Sequence, residues 1–261
     1  MSFKKCKLFC FPYAGGSATI YNKWRQFIDK DIELYAVELA GRGKRVYDPL
    51  YNSIDEAVED VYGIIKDELN GTPFGLFGHS LGGLVAFELA HKLRESCLPQ
   101  PSCIFFSGRG APHVPKREDK ELYHKMCDEK FREEILDLGG TPKEFFEHPE
   151  LLEVMLPMLK NDFRIAETYK SSEKIRAFDY DINVLIGKEE DVTAEQVHGW
   201  KEHTNKLCST HYFAGGHFFI NEETGRVVEL INRTIEQQLK PEAQSLIRDA
   251  EENYSSRCFQ C

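Results

Sequence analysis

The stretch FGLFGHSLGG at residues 74–83 decides the predicted fold. Its first four residues are typical of a short buried strand, and residues 78–82 form a G-x-S-x-G motif around Ser80. Apolar residues typical of a helix follow at 84–90. The motif requires a strand, a sharp turn and a helix, with small residues at Gly78 and Gly82 because neighbouring backbone comes close. Ser80 is therefore the candidate nucleophile, exposed at the edge of a sheet.

Strand-like and helix-like segments alternate on both sides of this motif. Several candidate strands are apolar at consecutive positions, as expected for strands that are covered on both faces. The candidate strands are Lys7–Phe11, Ile32–Val37, Phe74–Phe77, Ser102–Ser107, Asp181–Ile186 and Thr210–Phe213. The candidate helices between them are Ser53–Leu69, with a capping-box signature at Ser53 and Glu56, Leu81–Leu93 and Val227–Leu239. This alternation predicts an α/β fold, a mainly parallel sheet with helices on both faces.

One long region departs from the alternation. Residues 113–174 contain no convincing strand but three helix-like stretches, Lys120–Leu138, Pro142–Phe146 and Glu150–Tyr169. A helical insertion between two parallel strands predicts a lid over the carboxyl edge of the sheet, where such sheets bind ligands. We therefore predict a core at residues 1–112 and 175–240, a helical lid insertion at 113–174 and a C-terminal tail at 241–261.

Composition excludes several classes of function. The 261 residues include 43 acidic and 33 basic ones, a net charge of −10, which disfavours nucleic acids and anionic membranes. The apolar runs are too short to span a bilayer, and no signal peptide is recognised. The eight scattered cysteines are typical of reduced, buried thiols, so we expect a cytoplasmic protein. Cys258–Cys261 lacks the second pair of a zinc site, and G-x-G-x-x-G is absent, so neither a metal nor a cofactor is expected.

A serine nucleophile needs a base, and His217 is the best placed of the nine histidines. It follows the last candidate strand, and the glycines at 215–216 let the loop carry its ring over the sheet edge. It also completes the chain order serine, acid, histidine. His79 lies inside the serine motif, but we expect it to point along the strand, away from Ser80.

The orienting acid is expected in the turn after the strand Asp181–Ile186. That turn offers Glu189, Glu190 and Asp191. Asp191 is favoured because aspartate is the usual acid. Glu190 is the competitor, three residues after Gly187, and Glu189 remains a third choice.

An acyl-transfer site also needs two hydrogen-bond donors for the oxyanion. The backbone N–H of Leu81, directly after the nucleophile, is one candidate. The loop at residues 11–17, FPYAGGS, is expected to supply the other from the N–H of Ala14, with Tyr13 as the alternative.

Several further motifs, in order, resemble type II thioesterases of nonribosomal peptide and polyketide synthesis over about residues 5–240. They are FPYAGG at 11–16, GRG at 41–43, the serine motif, LGGTP at 138–142, Leu156-Pro157 with Asp162-Phe163, Gly199-Trp200 and GGHF at 215–218. The resemblance implies an α/β-hydrolase that cleaves acyl groups from the phosphopantetheine arm of carrier domains, without a cofactor. Ser80 and His217 match directly. Members of the family often have aspartate where this chain has Glu190, and proline where it has Ala40.

Two other functions remain open from the sequence. A general serine esterase or lipase-like hydrolase would have the same serine motif, and a catalytically silent relative could bind a synthetase. Carrier domains are commonly acidic, so the charge of −10 makes long-range attraction unfavourable. We therefore expect docking through an apolar lid surface or the basic cluster Lys116-Arg117. Nothing in the sequence demands more than a monomer.

Overall fold

A parallel six-stranded sheet forms the centre of the protein. The computed structural model describes residues 5–115, 121–140, 148–172 and 175–239. All neighbouring strands pair in parallel, in the order β2-β1-β3-β4-β5-β6. The strands are β1 Cys6–Phe11, β2 Ile32–Ala36, β3 Phe74–His79, β4 Cys103–Ser107, β5 Asp181–Gly187 and β6 Cys208–Phe213. The predicted strands and the parallel sheet are confirmed, although β3 ends two residues later and β6 begins two residues earlier than expected.

Helices cover both faces of the sheet, as predicted. They are α1 Ile54–Ile65, α2 Leu81–Glu95, α3 Asp128–Leu138, α4 Pro149–Thr168, α5 Ala194–His198, α6 Phe219–Glu222 and α7 at residues 224–239. Short 3₁₀ helices occupy Ala18–Gln26, Gly43–Arg45, Lys66–Glu68, Tyr123–Lys125 and Gly199–His203. One apolar core lies between the sheet and α1 and α2, and a second lies beneath Ala18–Gln26 and α7. The central strands β1, β3 and β4 are buried at every residue, which explains their consecutive apolar residues.

The start of α1 differs in one detail from the predicted capping box. The Ser53 side chain accepts a hydrogen bond from the Glu56 N–H, as expected. The Glu56 carboxylate, however, accepts from the N–H of Asn52 rather than that of Ser53. Both interactions satisfy backbone donors at the start of the helix, so the signature locates the helix start correctly.

Between β4 and β5, the described residues are helical or irregular, and no strand is found among them. Phe131 and Ile135 of α3 pack against Leu156 and Leu159 of α4. The predicted helix Lys120–Leu138 is wrong in its first part: among the residues described, a 3₁₀ turn at Tyr123–Lys125 precedes α3. The predicted helix Pro142–Phe146, the Lys116-Arg117 cluster and the tail with Cys258–Cys261 lie outside the described residues. We call the described parts of residues 113–174 the helical insertion.

The shorter α3 has a physical cause in the neighbouring helix. The Glu167 carboxylate of α4 accepts hydrogen bonds from the backbone N–H groups of Tyr123 and His124, at 2.9 and 3.1 Å. It also lies 2.6 Å from Nδ1 of the His124 ring. These bonds satisfy the backbone donors of the segment before α3, so a continuous helix is not needed there.

The strand order reverses its direction between β1 and β3. Along the chain β1 is followed by β2 on one side, whereas β3 is followed by β4 on the other. Open parallel sheets bind ligands at such a reversal. Within the described ranges, no helix is long and apolar enough to cross a membrane.

Buried histidines in the core predict acid sensitivity. Burial lowers the pKa of His203 to about 4, and that of His91 to about 3. Below pH ~6.5 these histidines bind protons in the unfolded state but remain unprotonated in the folded state until a much lower pH. The free energy of unfolding therefore falls as the pH falls. We expect the wild-type free energy of unfolding to decrease from pH ~6.5 towards pH ~4 by up to about 1.4 kcal/mol per pH unit for each histidine.

The variant His203→Gln, measured by urea unfolding across this pH range, should show a shallower pH dependence than the wild type. His203 is buried, with Nε2 2.7 Å from Nδ1 of His113, and glutamine keeps a hydrogen-bonding group there. If the free energy of unfolding of the two proteins depended on pH in the same way, buried His203 would not be a source of the acid sensitivity.

Candidate active site

Ser80 occupies a strained turn between β3 and α2. Its backbone has φ +54° and ψ −112°, a conformation that non-glycine residues rarely adopt. The turn is fixed on both sides, because the Ser80 N–H donates to the carbonyl of Ser107 at 2.8 Å and its own carbonyl accepts from the Gly83 N–H at 3.0 Å. The strain raises the serine out of a strand that is otherwise buried, as the sequence motif predicts.

The two glycines of the motif allow this turn to form. A Cβ at Gly78 would lie 2.1 Å from the carbonyl oxygen of Gly82. A Cβ at Gly82 would lie 2.1 Å from the carbonyl oxygen of Phe11, at the end of β1. The predicted need for small residues is thus confirmed, and Gly82 brings the first turn of α2 directly against the loop that follows β1.

The variant Gly82→Ala is expected to lose more than about 3 kcal/mol of folding stability, or to fail to fold, because backbone cannot move aside as a side chain could. Gly63→Ala is a matched control, since Gly63 lies in α1 with nothing within 4 Å of an added Cβ. That control should gain roughly 0.5–1 kcal/mol from helix propensity. Urea unfolding measures the stability of both variants. Similar stabilities would contradict the close approach of Gly82 to the backbone of Phe11.

His217 is hydrogen-bonded to a carboxylate after β5. Its Nδ1 lies 2.5 Å from Oε1 of Glu190, whose side chain is only 5% exposed. Because a carboxylate only accepts hydrogen bonds, this contact places a proton on Nδ1 of His217, and in the neutral imidazole Nε2 is then the acceptor. A histidine in this tautomer can take a proton from a serine hydroxyl.

Asp191 was expected to contact His217, and this expectation is wrong. In the structure the contact with His217 is made by Glu190, the alternative acid. The turn after β5 closes with a hydrogen bond from the Glu190 N–H to the carbonyl of Gly187, and Oε2 of Glu190 accepts from the Gly187 N–H at 3.2 Å. These bonds keep the Glu190 side chain under the turn, and the next residue, Asp191, is exposed. The offset of three residues from Gly187 was the sequence signal for Glu190.

His217 reaches this turn because two loops touch. A Cβ at Gly187 would lie 2.3 Å from the carbonyl oxygen of Gly216, so the loops after β5 and β6 approach as closely as backbone allows. The missing Cβ of Gly187 makes this approach possible, since a Cβ at Gly216 would meet nothing within 4 Å, whereas Gly215 has φ +89°. No hydrogen bond joins Ser80 and His217 in the structure; in free enzymes such bonds are often long and tighten with substrate.

His79 is a buried packing residue next to the site. Its Nδ1 lies 2.9 Å from the Ser107 hydroxyl, and its ring lies 4.9 Å from the ring of His217. Burial, with the nearby His217, lowers the pKa of His79 well below its usual range, so it stays neutral. Its ring is engaged beneath His217, as expected for a histidine that does not serve as the base for Ser80.

Backbone donors lie on both sides of the serine turn. Leu81 is the first residue of α2, and no described residue accepts from its N–H, which lies at the positive end of the helix dipole. In the loop after β1, the N–H groups of Ala14 and Tyr13 likewise have no acceptor among the described residues. The neighbouring N–H of Gly16 donates to the carbonyl of Tyr13 at 2.9 Å, closing a tight turn. The predicted oxyanion donors are therefore unchanged: one is the N–H of Leu81, and the other is the N–H of Ala14, with that of Tyr13 as the alternative.

One buried ion pair beside the site was not anticipated. Arg42, after β2, and Asp162, on α4, form two hydrogen bonds with each other, and Asp162 also accepts from the N–H of Gly15. Both residues belong to motifs that the sequence singled out. Nothing in their spacing indicated that they meet, since 120 residues separate them.

These features define the α/β-hydrolase class: a parallel sheet has a strained serine after β3, a carboxylate after β5 and the histidine that contacts this carboxylate after β6. Within that class, the chain belongs to the thioesterase family, because residues 6–235 match the model of the Thioesterase domain.

Proteins named for gramicidin S, colibactin and yersiniabactin biosynthesis each match 90% or more of the chain. The gramicidin S biosynthesis protein GrsT of Aneurinibacillus migulanus is 34% identical over 241 residues, 92% of this chain and 93% of the relative. Among solved structures, ClbQ from the colibactin NRPS/PKS pathway is 36% identical with a TM-score of 0.84, covering 90% of this chain and 98% of its own. YbtT, a type II thioesterase from the yersiniabactin NRPS/PKS pathway, is 26% identical with a TM-score of 0.79, covering 91% and 96%.

Proposed function

We propose that this protein is a type II thioesterase that removes acyl or aminoacyl groups from the phosphopantetheine arm of carrier domains. By doing so it would return misprimed nonribosomal peptide or polyketide synthetases to their free-thiol state. The observation that carries the proposal is the 2.5 Å contact between His217 and Glu190 at the sheet edge that also presents Ser80. The similarity to GrsT and YbtT supports the substrate class.

In the proposed mechanism, Ser80, His217 and Glu190 act as a catalytic triad. His217 Nε2 takes the proton of the Ser80 hydroxyl while Oγ attacks the thioester carbonyl carbon. The N–H groups of Leu81 and Ala14 donate to the oxyanion. The carbon–sulfur bond then breaks, and the leaving pantetheine sulfur takes the proton from His217. Glu190 stabilises the charged imidazolium throughout.

The second half of the reaction hydrolyses the acyl-serine ester. His217 takes a proton from water, the resulting hydroxide attacks the ester carbonyl, and the bond to Ser80 Oγ breaks with return of the proton to Oγ. The products are the free acid and the regenerated serine. Every proton transfer in this scheme uses His217, so the scheme requires no cofactor.

The helical insertion would admit the phosphopantetheine arm. On α4, Leu151 and Val154 are 44% and 55% exposed, one turn apart on the helix surface. Exposed apolar residues at this spacing support docking of a carrier domain through apolar contacts with the insertion, the first of the two docking modes expected from the sequence.

The deciding experiment compares hydrolysis of an acyl-phosphopantetheinyl carrier domain with hydrolysis of the matching oxygen ester. Fast release from the carrier that depends on Ser80, with slow ester cleavage, is the expected result. Cleavage of the ester without activity on the carrier would indicate a general esterase instead. Inactivity on both substrates, with retained binding to a synthetase, would indicate a silent binding protein.

A further inference from the structure

A buried ion pair joins the helical insertion to the core. Arg42 is 4% exposed and Asp162 is 1% exposed. Nη1 of Arg42 lies 2.7 Å from Oδ2 of Asp162, and Nη2 lies 2.8 Å from Oδ1, so the contact is bidentate. Nε of Arg42 donates to the carbonyl of Ala40 at 3.2 Å, which fixes the guanidinium plane against its own loop.

The same pair also binds the backbone of the loop after β1. Oδ2 of Asp162 accepts from the Gly15 N–H at 2.8 Å, and Nη1 of Arg42 donates to the carbonyl of Gly16 at 3.2 Å. Gly15 has φ +77°, and a Cβ there would lie 2.5 Å from Cδ1 of Leu159, on the same helix as Asp162. The helix α4 therefore holds the loop after β1 in place through a hydrogen bond from Gly15 to Asp162 and through packing of Leu159 against Gly15.

This contact bears on the oxyanion donors. The N–H of Gly15, which donates to Asp162, belongs to the peptide directly after Ala14. The next N–H, that of Gly16, donates to the carbonyl of Tyr13. With these two amides fixed, the plane of the preceding peptide has little freedom, and its N–H keeps one direction. A donor is useful for catalysis only when it is fixed in advance at the place where charge develops.

We propose that Arg42 and Asp162 are positioning residues that fix the second oxyanion donor, and that they make reactivity depend on the position of α4. The inference rests on the proposed function, because it assigns these residues to the thioester hydrolysis proposed above. When α4 is in the place described, Gly15 has its acceptor and the loop is ordered for reaction. When α4 moves away, Gly15 loses Asp162 and Arg42 loses its carboxylate together.

The variant Asp162→Asn tests this, because asparagine has nearly the same shape but lacks the charge and one acceptor oxygen. Arg164→Gln is the matched control. Arg164 lies two residues further along α4 and also ties it to the core, through the carbonyls of Asn52 and Tyr51 at 3.1 and 3.2 Å, but does not contact the loop after β1. Each variant is assayed with a short acyl-pantetheine thioester and with an alkylboronic acid, which forms a tetrahedral adduct on Ser80.

For Asp162→Asn we expect kcat to fall about 10- to 100-fold with KM nearly unchanged, since loss of one oxyanion donor costs at most about 10²–10³-fold. The affinity for the boronic acid should weaken by a similar factor. Arg164→Gln should keep both values within about 3-fold of the wild type, because it leaves the oxyanion donors in place. Arg42→Lys keeps the charge but loses the bidentate contact, so it should show a smaller loss in the same direction.

Equal kcat and equal boronic-acid affinity in Asp162→Asn and Arg164→Gln, whatever their melting temperatures, would overturn the inference. Should Asp162→Asn not fold, Arg42→Lys is measured in the same assays, and wild-type values for it would overturn the inference equally. A wild-type protein that cleaves no thioester would contradict the proposed function instead. The boronic-acid affinities would still decide whether the pair positions the loop.

Discussion

Replacing Ser80 by alanine is expected to lower kcat/KM for an acyl-carrier substrate by at least about 10⁴-fold. The reason is the absence of any other nucleophile in the strained turn that follows β3. The backbone donors of Leu81 and Ala14 would remain, so the residual rate reflects binding and oxyanion stabilisation alone. Release of free thiol from the loaded carrier, followed with a thiol reagent, measures the loss directly.

The control for this variant is its own unfolding curve. Alanine has to adopt the same positive φ as Ser80, so the backbone strain and the stability should change little. A folded Ser80→Ala protein that releases thiol at the wild-type rate would exclude the serine mechanism.

The second large effect is expected from Glu190→Gln, with about a 10³- to 10⁴-fold loss of kcat. A glutamine amide that turns its NH₂ group towards His217 would donate to Nδ1 and move the ring proton to Nε2. Nε2 could then no longer accept the proton of Ser80. The variant Asp191→Asn is the matched control, because the adjacent side chain is exposed and does not make the 2.5 Å contact. It should remain within about 3-fold of the wild type.

These two variants also decide between the acids that the sequence leaves open. A large loss in Asp191→Asn, with near-normal activity in Glu190→Gln, would contradict the role proposed for Glu190. Carrying out both assays at two pH values guards against a simple shift of the pH optimum, since a changed tautomer lowers the rate at either pH.

Local chemistry made the central part of the fold predictable. The need for glycine at 78 and 82 and the change from strand to helix at Ser80 depend on neighbours within a few residues, so a short motif contains the information. Strands that are buried on both faces are mostly apolar, and this identifies β1, β3 and β4 without knowledge of their partners, although each also contains one buried polar residue, Lys7, His79 or Ser107.

Which of the neighbouring acids contacts His217 was not predictable in the same way. Glu190 and Asp191 are adjacent, so composition and order along the chain cannot separate them. One local and one long-range feature decide the contact: the hydrogen bonds that fold Glu190 back onto Gly187, and the approach of the loop at residues 215–216 to that glycine. Aspartate is more usual than glutamate as a triad acid, but in this chain a glutamate makes the contact with His217.

Contacts over long sequence distances explain the remaining differences. Glu167 shortens the helix predicted to begin at Lys120, by accepting hydrogen bonds from Tyr123 and His124, more than 40 residues earlier in the chain. A local pattern of apolar residues cannot indicate a distant hydrogen-bond acceptor such as Glu167, so the first part of that helix was predicted wrongly.

The burial of Arg42 has a consequence for chimaeric proteins. Exchange of the segment between β4 and β5 is an obvious way to give such a scaffold a new acyl preference, because Ser80, Glu190 and His217 all lie outside it. The guanidinium, however, is enclosed by the core and by α4 together, and a buried charge without a counter-charge is strongly destabilising. A transplanted segment is compatible with this scaffold only if it brings a carboxylate to the position of Asp162, or if Arg42 is replaced at the same time. Compatibility of donor segments can thus be judged from one position before any chimaera is made.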